Sequence, residues 1–268
     1  MANQGAPTWT TITAHQFQHA LEAYEPLIQS ISDTKGAKNG QSTLLELDHY
    51  RYGKAVDHFS HSKEGTQMTL KDVEKLVEWK LRHGQYRPTL MKLVQSNDPE
   101  AIRDIARDAI TAYRQDGNVA AAIELLSKPR GIGPATASLL LAVHDPKKAI
   151  FFADEAYYWL CCEGQKSPIK YTAKEYLSLD TRAKQLEARL GVEAVDIERV
   201  AFVIMRDPSF TAGSASRKTS KADLAEKKKP TTGKAEAKPT KRKKSSETSP
   251  VETTSLRRSK RSKSAGNS

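Results

Sequence analysis

The sequence predicts an all-α fold followed by a disordered basic tail, on three observations. Apolar residues recur at three- and four-residue spacing through most of the first 210 residues, the period of a helix with one buried stripe. The same stretch holds no convincing alternation of apolar and polar residues, so no strand is expected. From Thr211 onward large apolar residues all but vanish, and Lys, Ser, Thr, Ala and Pro take over. Such a composition cannot bury enough surface to offset chain entropy. The chain therefore divides into a flexible N-terminus (1–12), a helical domain (13–210) of one core or two lobes, and the tail (211–268).

About nine helices are expected. Thr13 can cap the first, from Ala14 to about Ile31, with Phe17, Leu21, Tyr24 and Ile28 on one face. A polar loop over 32–42 precedes a helix from Thr43 to Phe59 with Leu44, Leu47 and Tyr50 inward. Thr69 and Asp72 have capping-box spacing and open a stronger helix that ends at His83-Gly84. Arg87-Pro88 begins a short helix carrying Leu90, Leu93 and Val94, and Asp98-Pro99-Glu100 begins a longer one with Ile102, Ile105, Ala109, Ile110 and Tyr113 buried. Asn118 caps Val119–Leu126. A helix after Pro134 is apolar on every face and should be central. Asp154 is expected to cap Glu155–Cys162, Thr172–Leu190 closes at Gly191, and Val195-Asp196 caps a last helix through Met205.

The informative stretch is Leu125 to Asp154. Lys128-Pro129-Arg130-Gly131 stops one helix, Ile132 can plug into the core, and Gly133-Pro134 starts the next. Two close glycines let the backbone approach a ligand, and N–H groups at a helix start attract an anion. Phosphate is the expected anion, held by Gly131, Ile132, Gly133, Thr136 and Arg130. Such contacts position a nucleic acid without reading its bases.

The pattern Leu-x-x-Pro-x-Gly-Ile-Gly-Pro-x-Thr-Ala-x-x-Leu-Leu resembles the helix-hairpin-helix DNA glycosylase superfamily, whose catalytic aspartate follows the hairpin by about twenty residues; Asp154 stands at that distance. The blocks 76–97 and 131–155 also resemble eukaryotic proteins that carry this hairpin without a settled activity. The resemblance implies a glycosylase-like helical domain that binds double-stranded DNA without sequence preference. It further implies base excision with Asp154 stabilising the cationic sugar. Bifunctional members carry a lysine two residues after the second glycine. Ala135 stands there, so an active chain would be a monofunctional hydrolase without lyase chemistry. Glu155-Ala156 replaces the family's frequent Thr-His; Glu155 either raises the Asp154 pKa or faces solvent. Tyr157, Trp159 and Arg87 are candidates for base stacking or DNA contact, with Tyr86 and Tyr158 beside them. The alternative is a non-catalytic scaffold that binds DNA or chromatin proteins, with Asp154 serving only its own helix.

Charge and cysteine content narrow the classes. Net charge is +11, but 17 Lys+Arg and 5 Asp+Glu fall in 211–268, against 26 and 27 before it. The basic character belongs to the tail. Its clusters Lys241, Arg242, Lys243, Lys244 and Arg257, Arg258, Lys260, Arg261 read as nuclear-localisation signals, so the nucleus and import partners are expected. They also suit counterion-release binding to nucleic acid. No apolar run reaches the length of a membrane span and no signal peptide is evident, so the expectation is a soluble intracellular monomer. Cys161 and Cys162 are adjacent and expected as reduced thiols. Two cysteines cannot supply the four ligands of an iron–sulfur cluster. His15 and His19 have helical metal spacing but no third ligand, so neither metal nor cofactor is expected.

Overall fold

The computed structural model describes residues 6–37, 40–60 and 67–211. Among them the chain is helical, without strands. The elements are α1 (Ala14–Glu22), α2 (Tyr24–Lys35), α3 (Leu44–His49), a π segment (Tyr50–Lys54), α4 (Ala55–Phe59), α5 (Leu70–His83), α6 (Leu90–Gln95), α7 (Pro99–Asp116), α8 (Val119–Leu126), α9 (Pro134–His144), α10 (Asp154–Cys161), α11 (Ala173–Leu190), α12 (Ala194–Arg206) and α13 (Pro208–Thr211). No helix among them is long and apolar enough to cross a membrane. The tail and its basic clusters lie outside the described residues.

Helix α9 is the centre. Every residue from Ala135 to His144 is buried, and α4, α5, α8 and α11 pack around it. Its all-apolar pattern has this cause: a helix surrounded on all sides has no face left for polar residues. Capping boxes at Thr13, Thr43, Thr69 and Thr172 start α1, α3, α5 and α11. Asp98 and Asn118 cap α7 and α8 through their side chains.

The structure departs from the sequence expectation in several places: the helix expected from Arg87-Pro88 starts at Leu90, and Ile12 of the N-terminus expected to be flexible is fully buried. The expected helix 14–31 breaks at Ala23, because Pro26 cannot donate to the Glu22 carbonyl and its ring crowds it. The expected helix 43–59 runs through a π segment that turns Arg51 fully into the core. On α7, Ala106 takes the buried place expected of Ile105. Asp154 is the first residue of α10 rather than its cap; Ala153 holds the cap position and no side chain caps this helix. Helix α12 starts at Ala194, earlier than expected, because the Pro146 and Lys147 carbonyls accept from Val195 N–H and Ala194 N–H at 2.9 Å each. The Cys161 and Cys162 thiols are both free.

A candidate anion- and sugar-binding cleft

The loop between α8 and α9 is held by contacts that its own glycines do not supply. Gly131 has φ +77°, and a Cβ there would sit 2.8 Å from Leu93 Cβ and 3.1 Å from the Val94 nitrogen. Only glycine satisfies both the left-handed backbone and the close approach of α6. Asn97 clamps the other side: its Oδ1 accepts from Arg130 N–H at 2.8 Å and its Nδ2 donates to the Arg130 carbonyl at 2.9 Å. Ile132 is buried and plugs the loop into the core. Gly133 differs from Gly131. Its φ is −99°, and a Cβ there would meet nothing within 4 Å. It faces open space at the start of α9, where no side chain caps the helix. Such a helix start favours a negative charge.

That open space is a cleft of about 280 Å³. Its lining comes from Gly131, Gly133 and Thr136 of the hairpin, from Phe151 to Glu155, and from Lys80, Arg87 and Tyr171. Asp154 is half-buried in it and accepts from the Tyr171 hydroxyl through Oδ1 at 2.8 Å. Burial, followed by the bond to Asp154, raises the Tyr171 phenol above its ordinary range, so it remains a neutral donor. Tyr171 adopts φ +55°, a costly backbone for a bulky residue and of the kind that clusters at functional sites. The Arg87 guanidinium lies 4.9 Å from the centre of its ring.

Lys80 enters the cleft from α5. Its Nζ donates to Thr136 Oγ1 at 2.8 Å. Burial and then the Arg87 charge bring its pKa down to about 8, while Asp154 acts in the opposite direction. The amine is therefore in part neutral at physiological pH. Lys170 and Arg87 add positive charge, His83 is kept uncharged by burial, and Glu155 is tied to Arg206, whose Nε donates to Oε1 at 2.7 Å. Cations thus outweigh the free carboxylate, which suits a polyanion passing over a carboxylate site.

The segment that delivers Asp154 is fixed from beneath. Phe151 N–H donates to Glu198 Oε1 at 2.7 Å, Phe152 N–H to Ser138 Oγ at 2.9 Å, and Tyr176 O–H to the Ile150 carbonyl at 3.1 Å. Glu198 pairs at 3.1 Å with Arg51, and both side chains are almost wholly buried. Arg51 also lies over the rings of Tyr52 and Trp79. Through Glu198 the π segment thereby anchors the backbone three residues before Asp154. This is an ordered support of the kind a reacting carboxylate needs.

The structure gathers Gly131, Gly133, Thr136, Arg87 and Asp154 around one cleft. Arg130 is exposed beside it, and Ile132 serves the core. Trp159 is 1% exposed and donates through Nε1 to the Pro7 carbonyl, so its ring is not offered to a ligand. Tyr157 packs on Phe152 at 5.5 Å between ring centres, outside the cleft lining. Glu155, expected either to raise the Asp154 pKa or to face solvent, is instead buried and paired with Arg206. Lys80, Tyr171 and Asn97 were not signalled as site residues. Asn97 follows a helix end and Lys80 follows a buried tryptophan, positions that carry no motif; Tyr171 lies in an irregular connection. Comparison with family models, with curated proteins and with solved structures finds no match to this chain.

Proposed function

We propose that the chain is a nuclear DNA-binding protein resembling a monofunctional base-excision glycosylase, with the α8–α9 hairpin holding the phosphate backbone and Asp154 acting at the sugar. One observation carries the reading: the open hairpin glycine Gly133 and the Asp154 carboxylate line the same cleft. A nucleotide turned out of the duplex would bring its phosphate to the start of α9 and its sugar toward Asp154. Breaking the N-glycosidic bond develops positive charge on the sugar, which the carboxylate stabilises. Its second oxygen, Oδ2, is free of hydrogen bonds among the described residues and can orient water. Half-burial strengthens both effects.

The scaffold alternative would be favoured by an Asp154 buried against its own helix start with no pocket beside it. The cleft and the Tyr171 bond favour the catalytic reading instead. Double-stranded DNA bound without sequence preference is the proposed partner, with import factors engaging the basic tail, and no cofactor is needed for the hydrolysis. The test is release of free base from duplexes carrying alkylated, deaminated or oxidised bases. Release by the full chain that is lost in Asp154→Asn, with binding retained, supports the reading. Binding without release from any duplex moves the protein to the scaffold class.

A further inference from the structure

The structure assigns Lys80 a second chemistry in this cleft: we propose that its amine captures the ring-opened sugar aldehyde of an abasic nucleotide as a covalent imine. The inference rests on the DNA reading but departs from its expectation of a chain without lysine chemistry: the position that carries a nucleophilic lysine in the resembled family is Ala135 here, and Lys80 would take that part from another helix. Ala135 and Lys80 line the same cleft, reached from α9 and α5 respectively. Three observations on Lys80 carry the argument. Its Nζ is held at 2.8 Å by Thr136, which the hairpin contributes to the lining, so the amine is fixed rather than free to swing. It shares the cleft with Asp154, which acts on it electrostatically. Burial also leaves a useful fraction of the amine uncharged near neutral pH, and an amine attacks carbonyls only when neutral.

The step balances without an external oxidant or reductant. The neutral amine adds to C1′, forming an N–C bond while the carbonyl electron pair moves to oxygen. Proton transfer from nitrogen to oxygen gives a carbinolamine. A further proton on the hydroxyl lets it leave as water while the nitrogen lone pair forms the C=N bond, and the resulting iminium gives up its N–H proton, which returns the proton taken. Asp154, in the lining of the same cleft, would be the group that exchanges these protons. The net change is amine plus aldehyde giving imine plus water.

The experiment uses the full chain and two duplexes. One carries a tetrahydrofuran abasic analogue, which has no aldehyde and reports binding alone. The other carries a natural aldehydic abasic site, and borohydride supplies hydride to fix any imine as a stable amine. Because the tail holds many lysines, the attachment point is read by peptide mass mapping rather than by gel shift. The expected result is an adduct on Lys80, reduced at least tenfold in Lys80→Gln and in Lys80→Met at duplex concentrations that saturate each variant with the analogue, so that any loss of affinity is separated from loss of the nucleophile. Trapping should rise with pH through a midpoint near 8. Analogue binding with adducts only on other lysines overturns the inference and leaves the DNA reading standing. Failure to bind either duplex overturns both. Folding of each variant is confirmed by its thermal melt, so loss of adduct is not confused with loss of fold.

Discussion

Replacing Lys80 by methionine should stabilise the protein at neutral pH, and the gain should shrink as pH rises. The fold holds the Lys80 amine near 8, against its ordinary 10.5. The unfolded chain therefore binds the extra proton between those values, so folding stability rises with pH across that window and the penalty is fully present below pH 8. A shift of that size corresponds to about 3 kcal/mol at pH 7 and about 1.4 kcal/mol at pH 9.5. Methionine fills nearly the same volume without a charge. It also removes the donor to Thr136, which is buried, at a cost of about 1 kcal/mol. The net expectation is about 2 kcal/mol of stabilisation at pH 7 and almost none at pH 9.5. Urea unfolding of wild type and Lys80→Met at both pH values measures it. A variant less stable than wild type by the same amount at both would mean that the amine is fully charged and well paired. That result would refute the argument for a neutral nucleophile.

The two hairpin glycines should separate structure from binding. Gly131→Ala meets both a left-handed backbone and Leu93, and should cost about 2 kcal/mol or more in stability. Gly133→Ala meets neither obstacle, so its melting temperature should hold while DNA affinity falls several-fold, because the methyl group occupies the space a phosphate would use. Arg51→Met leaves Glu198 buried without its cation and should cost about 3 kcal/mol or more, with much of that recovered in the double variant carrying Glu198→Gln; a double-mutant cycle by urea unfolding measures the coupling. Glu187 is raised to about 7, chiefly by burial and then by Asp180. The folded chain therefore holds its proton more tightly, and stability falls as pH rises from about 4.5 to 7. Discounted for its partial exposure, Glu187→Gln should gain about 1 kcal/mol at pH 8 and nothing at pH 4, read as the difference in melting temperature.

Much of the fold was legible because helix boundaries here are written in local chemistry. Threonine caps with a partner three residues on, Asp98-Pro99 and Gly191 mark ends that the backbone obeys. The break at Ala23 was missed in expecting one helix from Ala14 to about Ile31, although its signal is local: Pro26 stands where it must cost the helix a hydrogen bond. The π segment was not legible, because its cause is tertiary: it turns Arg51 onto Glu198, 147 residues away. The candidate site divides in the same way. Gly131, Gly133, Thr136 and Asp154 belong to one continuous pattern, whereas Lys80 and Tyr171 reach the cleft from segments before and after it. Trp159 shows the limit in reverse. Its place after Asp154 suggested a stacking surface, but on a short helix flanked by α11 and α12 its ring faces inward.

The central claim is that this cleft recognises a nucleotide removed from the stack. The most direct measurement is the affinity of the full chain for a duplex with one tetrahydrofuran site, relative to an undamaged duplex, at two salt concentrations. The basic tail contributes to both duplexes alike and weakens with salt, whereas cleft recognition appears in the ratio. The account predicts at least a tenfold preference for the abasic duplex that persists at the higher salt and falls in Gly133→Ala. Equal binding to both duplexes, collapsing together as salt rises, would contradict it.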